Sequence, residues 1–505
     1  MPEIDNKKRD WRKVKIILKY DMTMYERVFQ ILKNKIESGL LPAGSSLPSR
    51  SDLCQEFGTS EKTIRRALAM LEEKGFIETS QRRRPVVAAH LSPAHLATTL
   101  ALKRIDTDIT NDVLKTGALL CYPVIKNGIS LCSQADLEIP RKILDNMKIG
   151  NPSEFWKLSK QFLRFFVARN ENALTLQAVD SLGLSELKPL KDDMEARVRY
   201  YGQLQEFMKS LETGGAPESV HFDDMSGMYG LTDGSRPAFD VASDSAVLLG
   251  RKQLEKLLQR DEVRYSAVYM DIVGLIAAGR YKRGDQLPTH KELQEIYGVS
   301  VDTTIKAIQI LQEWGVVKTV RGNGIFVEMD KKDIGTVQVP PHLIACHVRR
   351  YLDTLELITL TIEGASACTA ANITMPELKA VKAEIDRLWN EDYLYERSPA
   401  ILLDFITEHI GIDALGAIYA LLQKNLRIGR SIPGLLKTQK TVVNSEIHEQ
   451  CVEAAETLLM GDRKAFPGKT FRLYENIYRL VIEECKSLGY YEAAADVYDG
   501  TSLWK

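Results

Sequence analysis

Gly58-Thr59-Ser60-Glu61-Lys62-Thr63-Ile64-Arg65-Arg66-Ala67-Leu68 decides how this chain is read. Gly58 makes a tight turn, and Ser60 is well placed to cap the helix that follows. Ile64, Ala67, Leu68 and Leu71 then fall on one face of that helix, which ends at Gly75. Upstream, Val28, Leu32 and Ile36 recur at helical spacing, and Gly39 stops the first helix where a left-handed cap is wanted. A loop with Gly44 and Pro48 leads into a short helix from Ser51 to Phe57. Downstream, Phe76-Ile77-Glu78-Thr79 alternates like a strand and Val86-Val87 returns. Helices about a short turn followed by a β-hairpin predict a winged helix-turn-helix.

The same pattern occurs again 240 residues later. Tyr25 to Val87 realigns on Tyr265 to Val327 without a gap, and 17 of the 63 positions are identical. The identities include Gly39/Gly279, Gly44/Gly284, Leu47-Pro48/Leu287-Pro288, Gly58/Gly298, Ser60/Ser300, Thr63/Thr303, Leu71/Leu311 and Gly75/Gly315. Chance would not place them on turn glycines, prolines and core leucines, so this is an internal duplication. In the second copy the hairpin closes through Arg321-Gly322-Asn323-Gly324.

The 505 residues are enough for about three to five domains. Lys and Arg total 67 against 68 for Asp and Glu, so whole-chain charge carries no message. Seven scattered cysteines without a CxxC pair argue for reduced thiols, and against a disulfide framework or a Cys-rich zinc site. The opening MPEIDNKKRDWRKVK has no apolar core, and no apolar run approaches the roughly 20 residues of a membrane span. The expectation is a soluble cytoplasmic protein with no membrane partner.

The residues quoted above, from Ser38-Gly39 through Leu47-Pro48-Ser49 and Thr63-Ile64-Arg65-Arg66-Ala67-Leu68 to Gly75-Phe76-Ile77, resemble the DNA-binding domain of GntR-type bacterial transcription regulators. After each head comes a helical block. Leu352-Asp353-Thr354-Leu355-Glu356-Leu357, Ile362-Glu363-Gly364-Ala365 and Gly461-Asp462 are similar to the all-helical ligand domain of that family's fatty-acid-regulator branch. The first block pairs more loosely, Gly117-Ala118 and Cys121 matching Gly364-Ala365 and Cys368. The resemblance implies a mainly α chain: two winged helix-turn-helix domains of three helices plus a β-hairpin, each followed by an all-helical domain. The expected boundaries are a basic extension at 1–22, the first head at 23–90 and the first helical domain at 92–212. A Gly/Ser/Asp/Pro-rich linker at 213–250, the second head at 261–330 and the second helical domain at 336–496 follow.

The resemblance also implies double-stranded operator DNA as partner and a small-molecule effector. In such domains one Asp and three His often hold a divalent metal. Here the later His positions fall on Cys451 and Leu473, leaving Asp404, His409 and His448, so no metal or other cofactor is expected.

Charge separates the two heads. Residues 1–90 hold 18 Lys/Arg against 12 Asp/Glu, a net of +6, whereas residues 261–330 hold 8 against 10, a net of −2. Phosphate neutralisation supplies most non-specific affinity, so the first head is expected to bind DNA better. Ser60, Lys62, Thr63, Arg65 and Arg66 lie at the end of the recognition helix that enters the major groove, with Arg50 before it and Arg82, Arg83 and Arg84 on the wing. Arg65 reaches either a guanine edge or a phosphate. The second head keeps Lys291, Ser300, Thr303, Lys306 and Arg321, but places Val301, Asp302 and Ile305 on the groove side. His290 is expected to be a solvated surface residue.

No nucleotide-binding glycine fingerprint, P-loop, HExxH or nucleophile elbow occurs, so no catalytic residue is assigned and an enzyme is not expected. The competing readings are an adaptor, or a replication-initiator-like protein, using one head for protein docking. Two heads and two helical domains on one chain leave two assemblies open: a covalent pseudo-dimer, or a homodimer of full chains.

Overall fold

The computed structural model describes residues 24–37, 41–57, 59–80, 84–88, 103–104, 107–183, 188–189, 194–214, 231–232, 236–237, 241–243, 254, 265–334, 337, 339–391, 395–435 and 440–497. The fold is mainly helical, with small antiparallel sheets, and divides into two compact units, Met1–Thr98 and Thr99–Lys505.

The first unit holds the first head: α1 (Met24–Glu37), α2 (Arg50–Glu56), α3 (Glu61–Glu73), β1 (Ile77–Glu78) and β2 (Val86–Val87). Its core is the set read from helical spacing, with Val28, Leu32, Ile36, Leu53, Ile64, Ala67, Leu68 and Leu71 all buried together. The Ser60 hydroxyl accepts the Thr63 N–H at 3.3 Å and caps α3 as expected. β1 pairs antiparallel with β2, Ile77 opposite Val87, and the 45–47 segment extends the sheet through Leu47 N–H to Pro85 O and Val87 N–H to Ser45 O.

The second unit begins with β3 (Lys103–Arg104) and the first helical block: α4 (Thr107–Ser130), α5 (Glu138–Asp145), α6 (Pro152–Ala168), α7 (Ala173–Ser181), β4 (Lys188–Pro189) and α8 (Met194–Glu212). The stretch read as a linker supplies β5 (Leu231–Thr232), β6 (Arg236–Pro237) and β7 (Val241–Ser243). β7 lies between β3 and β4, Ala242 pairing with both Arg104 and Lys188, so backbone hydrogen bonds tie this stretch to the start of the block and to the segment before α8.

The second head follows: α9 (Tyr265–Ala278), β8 (Gln286–Leu287), α10 (His290–Tyr297), α11 (Val301–Glu313), β9 (Val317–Val320) and β10 (Gly324–Val327), the strands ordered β8-β10-β9. The second helical block comprises α12 (Pro341–Asn372), α13 (Met375–Trp389), α14 (Ser398–His409), α15 (Asp413–Leu426), a 3-10 turn (Arg427–Ser431), α16 (Val442–Leu459), α17 (Ala465–Ser487) and α18 (Tyr491–Val497).

The two helical blocks share one apolar core that runs from Val113, Leu120 and Phe166 to Leu355 and Ile362 on α12 and to Leu415, Ile418 and Leu422 on α15. Two carboxylates stitch this interface reciprocally. Asp112 on α4 accepts the N–H groups of Asp413 and Ala414, at 2.6 and 2.7 Å, at the start of α15. Asp353 on α12 accepts the N–H of Ala173 at the start of α7. In chain order α7 and α15 are the fourth helices of their blocks, so the first helix of each block caps the fourth helix of the other. Negative charge is favourable at both helix starts. Asn172 adds a second tie, donating to Asp353 O at 2.8 Å and to the Glu356 carboxylate at 2.7 Å.

Candidate nucleic-acid interface

Each head positions its helix-turn-helix with the same local chemistry. At the start of α2, Ser49 N–H donates to Asp52 at 3.0 Å and Asp52 N–H donates back to the Ser49 hydroxyl at 3.1 Å. At the start of α10, Thr289 and Glu292 repeat the exchange at 2.7 and 3.3 Å. These bonds hold both carboxyls below the usual range, from the Ser49 hydroxyl first for Asp52 and from the Thr289 amide first for Glu292. Gly298 ends α10 with φ of 64°, a left-handed conformation that glycine adopts without steric cost. Ser300 then caps α11 through the Thr303 N–H at 3.2 Å, as Ser60 does for α3.

In the first head Arg50, Lys62, Arg65 and Arg84 are exposed, along with Ser60. Thr63 is half-buried, its hydroxyl 3.0 Å from that of Ser60. Arg65 pairs with Glu61 one turn back at 3.0 Å, both side chains largely solvated. Such a pair is worth about 0.3–0.5 kcal/mol, less than the ~1–3 kcal/mol of a good base contact, so a nucleic acid can take Arg65 from Glu61. Arg66 is exposed as well, and its guanidinium also lies over the Tyr25 ring of α1, 4.0 Å from the centroid. Arg84 lies close enough to Asp52 to help lower that carboxyl. Arg82, Arg83 and the basic extension at 1–22 lie outside the described residues.

In the second head Lys291, Ser300, Lys306 and Arg321 are exposed and Thr303 is half-buried. Two further cations are tied to neighbouring carboxylates: Lys318 pairs with Glu328, and Arg283 with Glu328 and Asp330. His290 departs from the expected solvated residue. It is half-buried, with Nδ1 3.0 Å from the Thr304 hydroxyl, because Thr304 on α11 faces the α10 start.

Sequence reading missed what anchors this head. Arg430, in the 3-10 turn of the second helical block, forms a two-nitrogen ion pair with Asp271 on α9. The Tyr297 hydroxyl donates to the same carboxylate at 2.7 Å. A Cβ on Gly274 would stand 2.2 Å from Arg430 O, so only glycine permits this approach of α9 to the turn. The signal was present in the duplication: the aligned positions of the first head carry Ile31, Asn34 and Phe57. Apolar residues have become a buried acid and a phenol where a partner arginine is available.

Among the described residues no cluster of His, Cys, Asp and Glu is arranged to hold a metal ion. His409 bonds Phe405 O through Nδ1 at 2.8 Å and lies 3.3 Å from Glu377 through Nε2. His448 stacks on Trp389 with centroids 4.3 Å apart, and burial lowers its pKa. Burial raises the Asp404 carboxyl. Cys451 and Leu473 are buried in the common core. No described helix is long and apolar enough to cross a membrane.

Comparison with known proteins agrees with this geometry. The family "Bacterial regulatory proteins, gntR family" matches twice, over residues 24–87 and 264–327. The HTH-type transcriptional regulator TreR of Bacillus subtilis (strain 168) is 36% identical over 64 residues, 13% of this chain and 27% of TreR. GgaR of Escherichia coli (strain K12), also an HTH-type transcriptional regulator, is 39% identical over 66 residues, 13% of this chain and 27% of GgaR. The Glc operon transcriptional activator of Escherichia coli (strain K12) is 29% identical over 122 residues, 24% of this chain and 48% of the activator. The chain therefore spans about a quarter to a half of the length of these curated relatives. Both heads are gntR-family helix-turn-helix domains, and this chain carries that domain twice.

Proposed function

We propose that the protein is a sequence-specific DNA-binding transcription regulator whose first head makes the principal contact with operator DNA. The carrying observation is the pair of capped helix-turn-helix heads, of which only the first presents a recognition helix with Lys62 and Arg65 exposed and a net positive surround. Arg50 and Arg84 flank that helix and serve the phosphate backbone, while Arg65 is the candidate for a base edge. The second head contributes less DNA affinity. The helical blocks, packed on each other within one chain, take the place of a two-chain pairing and provide the seat for a small-molecule effector.

Selection of bound fragments from random DNA by the purified full chain tests this reading. Enrichment of a defined sequence, lost when Arg65 is changed to Ala together with Arg82, Arg83 and Arg84, is the expected result. Recovery of unenriched DNA, or no retained DNA, would contradict it.

A further inference from the structure

Helix α15 is held at its two ends by different parts of the chain, and its own sequence supplies no cap. Ile412 stands at the N-cap position and has no side-chain oxygen to offer. Asp112 of the first helical block satisfies the start instead, accepting the Asp413 and Ala414 N–H groups at 2.6 and 2.7 Å. The corresponding helix of the first block, α7, is not so dependent. Its own Asn172 side chain accepts the Thr175 N–H at 2.9 Å, so the Asp353 contact is added to a helix already capped.

The far end of α15 meets the second head. Arg427 N–H donates to Lys424 O, so the 3-10 turn continues the helix without a break. Arg430 of that turn pairs with Asp271 on α9, and its carbonyl approaches Gly274 so closely that a Cβ would not fit. Lys424 brings its ammonium to 3.1 Å from where a Cβ on Gly298 would stand, at the end of α10 where a cation is favoured. Between these ends Leu415, Ile418 and Leu422 are buried in the common core, and the Tyr419 hydroxyl lies 2.9 Å from that of Thr361 on α12. A helix of 14 residues is about 21 Å long and carries displacement along its axis.

We propose that α15 is a strut coupling the contact between the two helical blocks to the position of the second head, with Asp112 as its positioning residue. Its two arrangements are a start held by Asp112 and a start released from it. On release α15 loses both side-chain bonds at its start and shifts within the core. The shift reaches α9 because the contact of Gly274 with Arg430 O leaves no gap to absorb it. Movement of one block against the other is thereby passed to the second head. The first head carries Ile31, Asn34 and Phe57 in place of Asp271, Gly274 and Tyr297, so it lacks the residues for the same anchor. The coupling does not rest on the DNA-binding reading, because it is measured without DNA.

Amide hydrogen exchange on the full chain, followed peptide by peptide, tests it. Asp112→Ala should speed exchange about tenfold in the first turn of α15, and about threefold or more in 269–278 of α9 and 293–298 of α10. Asp112→Asn keeps an accepting oxygen and should stay close to the unaltered protein. Asp180→Ala breaks a pair with Arg164 inside the first block and should leave both head segments unchanged. With Asp271→Ile, Tyr297→Phe and Arg430→Met combined, the charged anchor is gone, and adding Asp112→Ala should no longer reach the head segments. Acceleration confined to the first turn of α15 would overturn the proposal. So would an equal acceleration in the head from Asp180→Ala, or an Asp112→Ala effect undiminished in the triple variant.

Discussion

The two heads share a fold and differ in what holds them and what they show to solvent. Both keep the Ser/Thr caps, the turn glycines and the leucine core, because those residues build the helix-turn-helix whatever it touches. The first keeps cations on its recognition helix and a hydrophobic inner set. The second has exchanged Ile31 and Phe57 for Asp271 and Tyr297, and Glu61 and Arg65 for Val301 and Ile305. One pair of changes turns inward to Arg430 and the other outward to solvent. The lesson is that scaffold residues and contact residues diverge separately, so a matching scaffold does not transfer a contact.

The largest effect should come from the anchor. Arg430→Met strands the Asp271 carboxylate, which is 5% exposed, and removing one partner of a buried pair costs about 3–5 kcal/mol. Asp271→Ile with Tyr297→Phe and Arg430→Met gives the second head the apolar residues of the first and should recover most of that loss in urea unfolding. A single change costing less than about 1 kcal/mol would break the claimed difference between the heads.

A smaller effect should follow pH. Burial pushes the Glu356 carboxyl up to about 7 and that of Asp353 to about 6, at the contact with Asn172 between the helical blocks. The folded protein holds these protons more tightly than the unfolded chain. This stabilisation is complete below the ordinary carboxyl range and lost as pH rises through about 7 for Glu356 and about 6 for Asp353. Between pH 5 and 8 the loss should be on the order of 2 kcal/mol, and Glu356→Gln should flatten the profile of unfolding midpoint against pH. A profile that rises over this range in the unaltered protein, or stays as steep in Glu356→Gln, would remove these groups from the interface account.

Asp112→Ala removes the cap from α15 and should cost about 1–2 kcal/mol, with Asp112→Asn costing less because an amide oxygen still accepts. Equal stability of all three proteins would show that the cross-block cap carries no weight. Smallest of all, Arg66→Ala should cost about 0.5–1 kcal/mol of stability through the lost Tyr25 contact and leave DNA affinity nearly unchanged. A fall in affinity matching that of Arg65→Ala would put Arg66 on the DNA face.

The heads were legible because capping, turn glycines and helical apolar spacing are local signals, and the repeat made each one count twice. Ser60 and Ser300 cap where expected, and Ile64, Ala67, Leu68 and Leu71 are buried as their spacing requires. The anchor was hidden because Arg430 lies 159 residues from Asp271, and no local pattern links them. The strand at Val241–Ser243 was hidden in a stretch of turn-forming composition, where pairing with β3 and β4 outweighs local preference. The position of Arg66 over Tyr25 follows from packing between α1 and α3, which charge counting does not register.

The division of labour between the heads is tested most directly by a salt-controlled anisotropy titration of selected operator DNA with two multiple variants. Changing Arg65, Arg82, Arg83 and Arg84 to Ala should weaken binding by about 100-fold or more, and Lys306 with Arg321 to Ala by a few-fold at most. Equal losses from the two sets, or the greater loss from Lys306 and Arg321, would contradict the account.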